Sequence, residues 1–244
     1  MTVPWYYMWS KNYQFFHELL KDTMKEPQLT LKPIELPQSR FDSELYKKEG
    51  EHSWFGSVIK IDLLLGSLDE AARASQSYIL FTDVDIVVKP GIYESLKPYM
   101  DDRYDMVFLK EGSTLNIGFL LLRVCDETIF FWKDIRKAMV ANPGHDQKYV
   151  NQEIQSFKGI YTTFDEQVFT CSNTWNKHTD FKVLQCLCSN ISKEFNMAEK
   201  IFSAAQITDV QPYMEYVSDT TKEHIYKFQN MIYHSYQEAK MAVR

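Results

Sequence analysis

Apolar and polar positions along the chain follow two periods, and the change from one to the other marks out the elements. Val3 to Trp9 is almost wholly apolar or aromatic and predicts a strand. Asn12 to Met24 carries its apolar residues at helical spacing and predicts an amphipathic helix. Glu26 to Gln38 holds three of the eight prolines, yet Leu29, Leu31, Ile34 and Leu36 keep it apolar, so an extended segment over 29–36 is expected rather than a domain boundary. Trp54, Val58, Ile61, Leu65 and Leu68 predict a helix over 53–68 capped by Ser53. Tyr78-Ile-Leu-Phe81 is a short buried strand that runs straight into Thr82–Val88 and stops at Pro90-Gly91.

Asp105–Leu109 and Ile117–Val124 are further strands, and Asp126–Val140 and Asp146–Phe157 are helices whose aspartates serve as caps. Met231-Ile-Tyr is a last short strand. Strands alternating with helices predict one open α/β sheet domain over residues 1–244, with ligands outside the carboxyl ends of its strands.

Composition narrows the function classes. At 45% hydrophobic and 15% aromatic, the 244 residues can bury a large core, which excludes disorder. Lys plus Arg is 27 against 33 for Asp plus Glu, a net charge of -6, so no nucleic-acid partner is expected. No apolar run approaches the roughly 20 residues of a membrane span. Met1 to Ser10 has no positive charge ahead of its apolar stretch, so a cytoplasmic protein or an excised soluble domain is expected. Cys125, Cys171, Cys186 and Cys188 lack zinc-ligand spacing and read as reduced thiols.

The sharpest chemical signal is Asp83-Val84-Asp85. If the strand continues through it, both carboxylates face one side, and two like charges near a core need something positive between them. A hard divalent cation, Mg2+ or Mn2+, meets that need through oxygen ligands. A solvated acidic turn is the competing structural reading. Among enzymes the triplet fits two classes, the metal-dependent nucleotide-sugar transferases and the aspartyl-phosphate phosphatases, in which Asp83 would be nucleophile and Asp85 general acid.

Other motifs separate these classes. Leu80-Phe-Thr-Asp-Val-Asp-Ile-Val-Val, Asn116-Ile-Gly-Phe-Leu-Leu-Leu-Arg and Asp146-Gln-Lys-Tyr-Val-Asn151 occur in that order. With His234 and Lys240 they resemble the metal-dependent nucleotide-diphospho-sugar transferases of the GT-A fold, in the branch that retains anomeric configuration. The resemblance runs from about Trp54 to Lys240. A phosphatase would need a late lysine followed by an acidic pair, for which Ser218-Asp219 is a poor substitute.

The resemblance implies a glycosyltransferase acting on a UDP-sugar and a glycan or glycoprotein acceptor, with Mn2+ or Mg2+. It implies Asp85 as metal ligand, Asp83 on the metal or the donor ribose, and His234 as third ligand at the end of the last strand. Relatives end in His-x-x-Gly-x-x-Lys; here His234 and Lys240 keep the spacing and Gln237 replaces the glycine. Lys240 would hold the pyrophosphate. Asn116 and Gly118 would wall the donor sugar, and Asp146 and Gln147 would lie beside the transferred sugar. Lys60 would contact the donor from the polar side of its helix. Trp9, Ser10 and Tyr13 would receive the nucleobase, although core packing is the favoured role for Trp9. No carboxylate pair is placed for double displacement, so front-face substitution is expected. A non-catalytic sugar-nucleotide-binding protein on the same fold is the third reading.

Overall fold

In the computed structural model the described residues are 2–36, 55–142, 144–173, 181–187 and 195–242; for 55–57 and 231–242 the description covers the backbone alone. The expected Ser53 cap, Trp54 and Cys188 lie outside the described residues.

Strand β1 (Val3–Trp9) leads through a 3-10 turn at Lys11–Tyr13 into α1 (Gln14–Thr23), and β2 (Leu29–Glu35) pairs in parallel with β1. Helix α2 (Phe55–Arg73) crosses to β3 (Tyr78–Thr82), which lies parallel to β1 on its other side. The chain then leaves the sheet for the loop Asp83–Asp85 and enters β4 (Ile86–Val88), which belongs to a different sheet. After the short helix α3 (Ile92–Leu96) come the antiparallel strands β5 (Met106–Glu111) and β6 (Thr114–Arg123). Gly112, at φ +60, turns the chain between them in the left-handed region that favours glycine.

Helix α4 (Asp126–Ala141) precedes α5 (Asp146–Glu153), and β7 (Tyr161–Thr163) closes the main sheet. Strands β8 (Phe169–Cys171) and β9 (Val183–Gln185), with β4, make a small sheet in the order β4-β9-β8. Helices α6 (Asn196–Ala205) and α7 (Asp219–Ala242) complete the described chain. The main sheet has six strands in the order β2-β1-β3-β6-β5-β7, mixed in direction, as expected of an α/β fold.

Side-chain alternation divides the core in two. Val3, Trp5 and Tyr7 of β1 point to one face, where they meet Phe15, Phe16, Leu19 and Leu20 of α1 and the small sheet. Tyr6 points to the other face, with Ile61, Leu64 and Leu68 of α2 and Trp132, Ile135 and Met139 of α4. Strand β3 alternates in the same way, with Leu80 toward the first cluster and Phe81 toward the second. Because both faces are covered, these strands read as continuous apolar runs.

Four expectations are corrected. The triplet Asp83–Asp85 is a loop between two sheets and not a continuation of β3, because β4 pairs with β9 rather than with the main sheet. Met231-Ile-Tyr, and His234 after it, lie within the 24-residue helix α7 rather than in a strand. A three-residue apolar run carries no period that separates helix from strand. The decisive signal lay upstream, where the Ser218 hydroxyl accepts the Thr221 N–H at 3.2 Å and so starts the helix.

The last two corrections concern helix caps. Cys125 and His145, both in extended conformation, occupy the positions ahead of α4 and α5, so Asp126 and Asp146 sit inside the first turn. There their charge complements the helix dipole instead of capping it.

Candidate functional site

The loop Asp83–Asp85 opens where β1 and β3 end, and the start of the antiparallel β6 lies beside it, with Thr82 opposite Phe119. Three contacts fix the loop. The Trp5 indole N–H donates to Thr82 Oγ1 at 2.8 Å, the Asp83 N–H donates to the Gly118 carbonyl at 2.9 Å, and the Cys186 N–H donates to the Asp85 carbonyl at 2.8 Å. Val84 turns into the core at 4% exposure, which leaves its two acidic neighbours to face a cleft.

That cleft has a volume of about 480 Å³. A second cavity of about 270 Å³ adjoins it and shares Met8, Tyr13, Asp83, Asp85 and Lys200 with it. Trp9, Ser10 and Leu36 line the smaller cavity. The Trp9 ring stacks on His17 at 4.0 Å between centroids, so Trp9 serves packing and borders the cavity at once.

The larger cleft is an acidic site with two embedded lysines. Asp83, Asp85, Glu111 and Asp146 line it together with Lys60 and Lys200, an excess of two negative charges. Lys60, expected on the polar side of α2, is in fact buried. Its ammonium lies 2.7 Å from Asp83 Oδ1 and 3.8 Å from Asp146 Oδ2. Burial works to lower its pKa, but Asp83 and Asp146 raise it above the ordinary lysine range.

Asp85 is buried as well and pairs with Lys200 of α6 through Oδ2. Burial raises the Asp85 carboxyl above the ordinary range and Asp83 adds to this, while Lys200 opposes both. Its Oδ1 is buried without a hydrogen-bond partner.

The amides form a second layer. Glu111 Oε2 accepts Asn116 Nδ2 at 2.8 Å and Gln147 Nε2 at 3.2 Å. Asn116 Oδ1 accepts the Gly118 N–H at 2.7 Å, and Asp146 Oδ1 accepts the Gln147 N–H at 2.9 Å. Asn151 binds the backbone of Leu115 through both ends of its amide, at 2.8 Å each, which ties α5 to β6.

Gly118 was expected to let a ligand approach. The space above it is taken by the Gln185 amide, which donates to Asp83 Oδ2 at 3.2 Å. A Cβ on Gly118 would lie 1.6 Å from Gln185 Nε2 and 2.2 Å from its Cδ. Gly118→Ala is therefore expected to push Gln185 off Asp83 and cost about 1–3 kcal/mol, read as a lower melting temperature. Adding Gln185→Ala should recover much of that loss. An unchanged melting temperature in Gly118→Ala would contradict the packing described.

The cleft thus collects Asp83, Asp85, Lys60, Asn116, Gly118, Asp146 and Gln147, while Trp9 and Ser10 border the adjoining cavity. The side chains of His234 and Lys240 lie outside the described residues. Three site residues went unread in the sequence: Glu111, Gln185 and Lys200. Gln185 carried a usable signal, a polar residue inside the apolar run Val183–Cys186. So did Glu111, a carboxylate at a strand end. Lys200 looks like any helical lysine.

As a nucleophile Asp83 is poorly prepared, since Lys60 engages one oxygen and Gln185 the other. This does not favour the phosphatase alternative. Among the described residues no helix is long and apolar enough to cross a membrane, and no three His, Cys, Asp or Glu side chains cluster as a preformed metal site.

No protein-family model and no curated protein matches the sequence. Solved structures do match the architecture. A glycosyltransferase involved in the glycosylation of the major capsid of PBCV-1 superposes with a TM-score of 0.61 at 12% identity, over 84% of this chain and 100% of its own. Streptococcus pneumoniae glycosyltransferase GlyE gives 0.55 at 11% identity, over 88% of this chain and 62% of its own. Mouse xyloside xylosyltransferase 1 gives 0.52 at 11% identity, over 77% of this chain and 98% of its own. At such identities the likeness speaks for architecture alone, and on it the chain has the GT-A fold, a mixed α/β sheet flanked by helices.

Proposed function

We propose that the protein is a glycosyltransferase that moves a sugar from a nucleotide-sugar donor, a UDP-sugar, to a glycan or glycoprotein acceptor with Mn2+ or Mg2+. The observation that carries the reading is the unpartnered, buried Asp85 Oδ1 beside Asp83, in a cleft that already holds an excess of two negative charges. A nucleoside diphosphate adds further negative charge and needs a cation to enter such a place. Two carboxylates, with substrate phosphates for the remaining positions, are a fitting donor set for a hard divalent ion. The ion's chemistry there is Lewis-acid stabilisation of the departing diphosphate. The three similar structures described above are glycosyltransferases, which agrees with the reading.

The chain's own groups supply the rest. Lys60 holds Asp83 and Asp146 in place. Glu111 fixes the amides of Asn116 and Gln147, so that Gln147 stands beside the transferred sugar with its N–H committed. Trp9, Ser10 and Tyr13 offer the smaller cavity to the base. His234 as third ligand, Lys240 on the diphosphate and retention of configuration belong to this proposal.

Thermal shift with a panel of nucleoside diphosphates and sugar-nucleotides, with and without Mn2+, tests it. UDP at one hundred times its Kd should add about 2.7 kcal/mol and raise the melting temperature by about 5–10 °C. Excess chelator should remove both the shift and sugar transfer. Transfer that persists in chelator would end the metal assignment, and a flat response to every nucleotide would end the donor assignment.

A further inference from the structure

Lys200 stands where the two cavities meet. Its ammonium pairs with Asp85 Oδ2 and donates to Tyr13 Oη at 3.3 Å, lying 5.3 Å from the centre of the Tyr13 ring. The pair is withdrawn from solvent, with the Lys200 side chain 14% and the Asp85 side chain 6% exposed.

Two observations set it apart from an ion pair that only supports the fold. The first is that Asp85 is half satisfied: one oxygen takes the ammonium and the other, buried, takes nothing. A buried pair retained for stability needs its remaining lone pairs filled. The second is that Lys200 lines both cavities and carries its ammonium on a flexible stem with rotatable bonds.

We infer that Lys200 is the exchangeable cation of this site: it neutralises Asp85 while the cleft holds no donor, and passes to the donor's diphosphate when a divalent ion takes the carboxylate. The inference rests on the donor reading proposed above. A divalent charge at Asp83 and Asp85 repels the ammonium, and a diphosphate oxygen offers it a charge-assisted hydrogen bond in return. No covalent bond changes and Lys200 keeps its proton throughout. The diphosphate offers the displaced ammonium a charged acceptor in place of Asp85, so Lys200 couples ion binding to nucleotide binding.

The experiment uses the full chain and two variants, Lys200→Gln and Lys200→Arg. Mn2+ affinity in the absence of nucleotide is read from the resonance signal of free Mn2+, and UDP affinity at saturating Mn2+ from calorimetry. Lys200→Gln should bind Mn2+ alone about tenfold more tightly, because its competitor is gone, and UDP about tenfold more weakly. Lys200→Arg, whose fork can take both Asp85 oxygens, should bind Mn2+ about tenfold more weakly than the unaltered protein.

Opposite changes in Lys200→Gln support the exchange. Weakening of both ligands would make Lys200 a prop for Asp85 and overturn it. Tighter Mn2+ with unchanged UDP would leave neutralisation and overturn the transfer to diphosphate. Should Lys200→Gln fail to fold, unaltered Mn2+ affinity in Lys200→Arg overturns the exchange. If the unaltered protein binds neither Mn2+ nor UDP, the donor reading falls first and takes this inference with it.

Discussion

Asp85→Asn is expected to lower sugar-transfer turnover by about a thousandfold, the scale on which removing one electrostatic stabiliser from a closed site acts. Asparagine keeps the shape of the side chain, so the loop and the Val84 anchor are left without a cavity. What disappears is the negative charge that holds Lys200 and that the buried, unpartnered oxygen shares. Like-charge relief from Asp83 alone would raise stability. The pairing with Lys200 reverses that sign, because a largely buried ammonium is left facing an amide. The variant should therefore melt below the parent while its circular dichroism stays native. Initial rates of donor consumption measured beside melting curves separate the two effects. Parental turnover in a folded Asp85→Asn would remove Asp85 from the chemistry.

Lys60→Met should have the largest effect on stability. Methionine fills the volume of the lysine stem but carries no charge, so Asp83 and Asp146 are left with no cation between them in a buried setting. Breaking a buried pair from one side costs about 3–5 kcal/mol. Asp83 keeps 27% exposure and so a share of its hydration, which favours the lower end of that range. A fall of about 6–12 °C in melting temperature is expected. Loss of less than a degree would mean that the ammonium is dispensable and that the carboxylates are held by their backbone contacts.

Much of the fold could be read from apolar spacing. Strand β1 appears at its expected bounds, and α2, β3, β5, β6, α4 and α5 lie within a few residues of theirs. Long periodic runs survive tertiary context, whereas the three-residue strands β7, β8 and β9 hold too few positions to show a period. The last helix was misread for the same reason, from three apolar residues inside 24. For the site, residues carried by local motifs share one place: Asp83, Asp85, Asn116, Asp146 and Gln147 line one cleft. Lys200 could not be found in that way, and Gln185 stands out locally only as a polar residue in an apolar run. Their role depends on which helix and which small strand pack against the acidic loop, and no local pattern encodes that.

The acidic loop joins the main sheet to the small one, and its partners come from far along the chain. Gln185 lies 102 residues from Asp83, Lys200 lies 115 from Asp85, and the same Lys200 lies 187 from Tyr13. Hairpin β5–β6 can close early, since its loop is short and its contacts are neighbours in sequence. The charge network has no such shortcut: it requires the docked sheets, α2 and α6 together, and non-local contacts of this kind slow folding. A partly folded chain therefore carries the carboxylates without their lysines and amides, and offers no formed cleft. Ligands that need the whole arrangement select only molecules that have completed folding.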